Sequence, residues 1–172
     1  GTLPGVRAVG YGRVIPIGGG GSRMTVEVPG YTPLPDEDME INYNTVTPGY
    51  FDALRIEIVD GRALADSDQA DRPLAIVVNE TMAKRYFPQA RAVDQQIRLP
   101  GPNGSMLTVV GVARDVKYRT LREEPRPSFY MALAQTDRAR GGVIHVGREA
   151  EARLLTAPSR TVYSVKRFMG RG

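Results

Sequence analysis

A chain of 172 residues with 41% hydrophobic content is long enough for one domain or two small lobes around a sizeable core, and its 24% charged fraction and 13 prolines, near ordinary soluble composition, give general disorder little support outside short loops. The absence of cysteine removes disulfide frameworks, thiolate nucleophiles and zinc–thiolate sites together. The net charge of +4 does not describe a nucleic-acid face, because residues 140–172 hold seven Arg or Lys against two acids and leave the first 139 nearly neutral, at 16 against 17. No apolar run reaches the roughly 18 residues that a membrane span needs, and no signal peptide is visible at Gly1. A soluble piece is expected, whose membrane spans, if its parent has them, lie outside these limits.

In chain order, Val6–Ile17 is apolar and β-branched but broken at Gly10 and Gly12, which predicts one strand or two short ones. Gly18–Gly21 form a loop into Met24–Val28, where apolar and polar residues alternate as in a half-buried strand. Glu40–Val46 alternates likewise, with Ile41, Tyr43 and Thr45 on one face. Thr47 stands where it can cap a helix beginning at Pro48, whose missing N–H costs nothing in a first turn. Val46 and Phe51 occupy the two positions of a hydrophobic staple, and Tyr50, Phe51 and Leu54 form an apolar stripe. This helix is expected to end near Arg55, with Ile56, Ile58 and Val59 returning to extended structure before Gly61 turns the chain.

Beyond the polar connector Asp66–Asp71, Pro73–Val78 is a continuous apolar run of the kind found in strands buried on both faces. Asn79 is the expected cap of a second helix that turns Met82, Ala83, Tyr86 and Phe87 inward and Lys84 and Arg85 outward, and that stops at Pro88. Gln95–Leu99 and Met106–Ala113 flank the turn-forming Pro-Gly-Pro-Asn-Gly-Ser and predict a β-hairpin. Ser128–Leu133 and Gly142–Val146 are the last expected strands, and Glu149–Leu155 has helical propensity.

Candidate chemistry is thin. His145, the sole histidine, lies in a strand-like stretch with no nucleophile that the sequence pairs with it, though distant residues can assemble a triad in space. Asp66, Asp68 and Asp71 suggest a calcium loop, but Asp71 and Val77 stand where an EF-hand needs Gly and Glu; Asx-turns or helix capping fit better. Gly18–Gly21 lead into a strand without the Lys-Ser or Lys-Thr of a phosphate cradle, and read as an inter-strand loop. Among Glu37, Asp38, Glu40, Asp60 and Glu80 nothing selects a hydrolytic pair. No catalytic, cofactor-binding or metal-binding residue is therefore assigned, and no cofactor is expected.

Thr47-Pro-Gly-Tyr-Phe-Asp-Ala-Leu-Arg-Ile56, Gly61-Arg62, Asp68, Ala75–Pro88, Ile97-Arg-Leu99, Thr108–Ala113 with Arg114-Asp-Val116, and Phe129-Tyr130 near Ala134-Gln135 follow one another in an order and spacing that resembles the MacB-like periplasmic core domain of ABC-transporter permeases. The resemblance covers roughly residues 4–135. It implies an α+β fold of two α/β lobes, a porter-like one and a smaller inserted one at about 60–113, with mixed sheets and a few short helices. Residues 1–145 would form the core domain and 146–172 a basic segment, divergent or poorly ordered, that offers little of the long helix relatives carry there. The implied setting is the periplasmic side of an inner-membrane permease, where the domain, without chemistry of its own, couples a cytoplasmic ABC ATPase to export or mechanotransmission. The implied partners are that ATPase, a periplasmic adaptor or substrate protein and, in the full transporter, a second copy; nucleic acid is not among them. A stand-alone extracytoplasmic binding module, or less readily a small hydrolase, is the alternative that the residues leave open.

Overall fold

The computed structural model describes residues 8–14, 21–101, 104–117 and 122–136. His145, most of the Gly18–Gly21 loop, the strand expected at Gly142–Val146, the helical stretch at Glu149–Leu155 and the basic segment lie outside the described residues. The elements are β1 (Ser22–Thr25), β2 (Glu40–Val46), α1 (Tyr50–Leu54), β3 (Ile58–Gly61), β4 (Ala75–Asn79), α2 (Glu80–Tyr86), β5 (Gln96–Arg98), β6 (Met106–Ala113) and β7 (Ser128–Ala132), followed by a 3-10 turn at Leu133–Gln135.

All seven strands join one mixed sheet in the order β1-β2-β7-β4-β6, with β5 and β3 sharing the far side of β6. The β2–β7 and β4–β6 pairs are parallel, and the others are antiparallel. The segment 60–113, for which the resemblance implies a smaller lobe, is hydrogen-bonded into the same sheet as β2 through the pairing of β4 with β7. The sheet also curls on itself. After β1 the chain crosses to β5, where Glu27 and Arg98 exchange two backbone hydrogen bonds of 2.8 and 2.7 Å, so β5 does not present an unpaired edge at that point.

The unbroken apolar run in β4 has a direct cause in this topology. Successive strand residues point to opposite faces, and here both faces are cores. Ile76 and Val78 join Phe129, Met131, Leu107 and Val109 beneath α2, where Met82 and Tyr86 fill the space. Ala75 and Val77 join Tyr130 and Ala132 beneath α1, where Tyr50 and Phe51 pack. Each fully buried large aliphatic or aromatic side chain contributes about 1.5–3 kcal/mol relative to exposure, so the central strands β4 and β7 anchor the domain.

The second helix starts as its sequence demands, with the Asn79 side chain accepting the Met82 N–H at 2.9 Å. The β5–β6 hairpin also forms where the turn residues place it. The first helix differs. It begins at Tyr50 after Gly49 with no side-chain cap, because the Thr47 hydroxyl is taken by the Tyr11 N–H at 2.8 Å while the Thr47 carbonyl accepts from Tyr50 at 3.0 Å. Its end near Arg55 stands as expected, with Arg55 in the left-handed region and Ile56 N–H returning to Phe51 O. Residues 8–14 do not form the expected strand. They make one bridge, Gly12 with Val46, and the Asn44 carboxamide substitutes for a ladder by bonding both the N–H and the carbonyl of Val14.

Candidate functional site

The most connected polar centre lies where β4 ends, β6 ends and β7 begins. Asn79, buried at 3% exposure, accepts the Met82 and Ser128 N–H groups through Oδ1 and donates through Nδ2 to Asp115 and to the Arg126 carbonyl. Asp115 receives in addition the Thr81 N–H and hydroxyl, and its own N–H meets Glu80. Every group here is satisfied within the protein. A reactive site would leave a nucleophile or base available to substrate, so this centre is a joint.

A second joint fixes the loop after β3. The Arg62 guanidinium forms a two-pronged pair with Asp68, both contacts 2.8 Å, and Asp68 also accepts the Ala65 N–H. Burial pushes the Asp68 carboxyl up, but Arg62 and the Ala65 N–H outweigh it and hold its pKa below the ordinary carboxylate value. A depressed folded-state pKa contributes stability above the unfolded value, near 4, that is lost as the pH falls through the folded one. Asp68→Asn is therefore expected to be destabilising near neutral pH, with its deficit relative to wild type shrinking as urea denaturation is repeated below about pH 4. A deficit independent of pH would contradict the assignment. Farther along the same connector, the Gln135 carboxamide accepts from Ala75 and donates to the carbonyls of Gln69 and Pro73.

The acidic residues singled out in the sequence do not converge. Asp68 is in its ion pair, while Asp66 and Asp71 are not gathered with it, and no group of three metal-ligating side chains occurs among the described residues. Glu37 meets Arg85, Asp38 and Glu40 meet Arg23, Asp60 meets Arg91, and Glu80 lies by Lys84. The Leu34 N–H, with Tyr31 and Arg85 behind it, outweighs burial and holds the Glu37 carboxyl low; the Glu40 N–H and Arg23 do the same for Asp38, and Arg91 for Asp60. A hydrolytic general acid needs the opposite shift.

Among the described residues, two concavities stand out. One lies over the N-terminal halves of β2 and β7 and is lined by Ser22, Asn42, Asn44, Val116, Arg126 and Ser128 among others. The other is a broad, open trough beside the end of α2, between Lys84, Phe87, Pro88 and the Asp60–Arg91 pair. The sequence places Asp115 and Gln135 among the residues that carry the family resemblance but gives no role to either, nor to Arg126.

The described residues thus form a mixed sheet with a short helix on each face, with polar joints that are internally satisfied at its strand ends. The chain matches the family model of the MacB-like periplasmic core domain over residues 3–161, and it belongs to that family. It is thus an extracytoplasmic domain of the MacB-like ABC-transporter permease family. Its fold is similar to that of the periplasmic region of MacB from Actinobacillus actinomycetemcomitans, at 15% identity and a TM-score of 0.56, over 92% of this chain and 68% of that one. It is also similar to the extracellular domain of the noncanonic ABC-type transporter YknZ from Gram-positive bacteria, at 20% identity and a TM-score of 0.54, over 92% of this chain and 79% of that one. Comparison with curated proteins gives no match. Among the described residues no helix is long and apolar enough to cross a membrane.

Proposed function

We propose that this domain couples ATP hydrolysis by a cytoplasmic ABC ATPase to export or mechanotransmission across the inner membrane, without chemistry of its own. The observation that carries the reading is the family match across residues 3–161. The internally satisfied joints at Asn79 and Arg62 support it, because they make strand ends and loops into a unit that can transmit force without dissipating it in local rearrangement. On this reading the parent permease works as a pair of copies, with a periplasmic adaptor or substrate protein as the external partner.

Because this chain has no cysteine, one introduced cysteine places a single label within the domain, once any cysteines elsewhere in the parent permease and its ATPase are replaced. Leu34, at 70% exposure, accepts a spin label without disturbing a core. In the parent permease assembled with its ATPase in lipid discs, the Leu34→Cys label-to-label distance between copies is expected to change on ATP binding and to return after hydrolysis. The same distance distribution in nucleotide-free, ATP-bound and post-hydrolysis states would sink the coupling reading.

A further inference from the structure

The connection between β1 and β2 lies against α2 and is held there by one carboxylate. Glu37, whose side chain is 4% exposed, accepts the Tyr31 hydroxyl at 2.9 Å on each oxygen and the Leu34 N–H at 2.9 Å. It also accepts from Nε and Nη2 of Arg85 at 3.1 and 2.6 Å. The ring of Tyr31 meets that of Tyr86 edge to face with centroids 4.9 Å apart, and the Arg85 guanidinium lies 5.5 Å from the Tyr86 ring centre. Tyr31 and Glu37 of the connection thus interlock with Arg85 and Tyr86 of α2.

Little else holds residues 29–38 down. All of them except Tyr31 and Glu37 are exposed. Among the described residues, their own backbone hydrogen bonds are local, from Tyr31 N–H to Val28 O and from Glu37 N–H to Leu34 O. The ends, by contrast, are fastened: Val26 N–H bonds Met39 O, and Asp38 accepts from Arg23 and from the Glu40 N–H. Between those ends the chain changes direction at Gly30, φ +84°, and Asp36, φ +65°, and a segment fastened in this way pivots about a few such residues.

The closed arrangement also carries a cost. The Tyr86 hydroxyl is buried with no hydrogen-bond partner among the described residues, so it has given up water without replacement. Burial raises its pKa, and the groups that act on it besides are Arg85 and, from the connection, Glu37, Tyr31 and Asp38. The hydroxyl therefore lies on the side that the connection covers.

We propose that residues 29–38 are a strap with two positions, closed on α2 through Glu37 and lifted about Gly30 and Asp36, and that lifting returns the Tyr86 hydroxyl to water. The Glu37 contacts favour the closed position and the stranded hydroxyl favours the lifted one, which leaves the strap poised between them. Lifting bares the aromatic face of α2 at Tyr86 while the sheet stays folded. The strap moves within one domain, so the proposal does not depend on the coupling reading.

The test is hydrogen exchange on the nitrogen-15-labelled 172-residue chain, with urea kept below the unfolding transition. The Leu34 amide, which Glu37 accepts, is expected to exchange faster than the β4 amides and at a rate that low urea leaves unchanged, since lifting exposes far less surface than unfolding. Tyr86→Phe is expected to slow Leu34 exchange about ten-fold, because it removes a penalty that only the closed position carries. Glu37→Gln is expected to speed it about ten-fold through loss of the charged contact. A Leu34 rate that rises with urea in step with β4 would mean that the strap lifts only when the domain unfolds. An unchanged rate in Tyr86→Phe would mean that the Leu34 N–H frees itself while the hydroxyl stays buried. Either result, or an unchanged rate in Glu37→Gln, would overturn the proposal.

Discussion

Asn79→Ala is expected to destabilise the domain by about 3–5 kcal/mol, the range reached when a buried polar network loses its hub. The side chain is tied to four partners on three segments: Met82 at the start of α2, Asp115 beyond β6, and Arg126 and Ser128 at the start of β7. Each intact bond contributes about 0.5–1.5 kcal/mol net, and truncation also leaves the partner groups without their mate in a partly buried place. Urea denaturation should show the loss as a lower midpoint with an unchanged slope. Asn79→Asp separates the contributions, because it keeps the two acceptor bonds and so the helix cap, but it sets a carboxylate against Asp115. It should remain well below wild type. If Asn79→Ala stays within about 1 kcal/mol of wild type, the three segments are held by apolar packing alone and the joint has no mechanical role.

What the sequence made readable follows from how local each cause is. The cap at Asn79 and the stop at Pro88 lie within one helix, and the turn residues between β5 and β6 lie within one hairpin, so both elements form where their composition places them. Alternation in β2 sorts Ile41 and Tyr43 into the core beneath α2, as the pattern required. Thr47 shows the limit. Its helix-capping chemistry is real, but the N–H that claims its hydroxyl belongs to Tyr11, 36 residues away. Asp115 reaches Asn79 across the same separation, and Gln135 reaches Ala75 across 60 residues. No window of sequence contains both ends of such a bond.

The acidic residues teach the same lesson with charge. Glu37, Asp38 and Asp60 looked available to one another in the sequence, yet each is claimed by an arginine that the fold brings to it. The family resemblance supplied what local reasoning lacked, because it read an ordered set of caps, turns and strand cores together. The match over residues 3–161 supports that reading.

Gly111→Ala is expected to cost about 2–3 kcal/mol through overpacking, although it adds one methyl group. In β6 the register against β4 jumps from Val109 opposite Ile76 to Gly111 opposite Val77, leaving Val110 as the extra residue of a bulge. The bulge is what lets Val109 and Val112, which strict alternation would send to opposite faces, both enter the core beneath α2. At its apex a Cβ on Gly111 would stand 2.1 Å from the Arg62 carbonyl oxygen and 2.9 Å from its carbon. These are backbone atoms with little room to yield, since the Arg62 N–H is bonded to Val110 O at 2.9 Å and its side chain to Asp68. Gly61, paired opposite Gly111, has a φ of +69° that resists any other residue. The added methyl group must therefore push the Arg62–Asp68 loop outward. Faster hydrogen exchange at the Ala65 amide, which Asp68 accepts, should accompany the lost stability, and the effects of Gly111→Ala and Asp68→Asn should combine to less than their sum because both act on one contact. Additive effects with unchanged exchange at Ala65 would mean that the bulge and the loop yield separately, and that the close approach at Gly111 is not what holds them together.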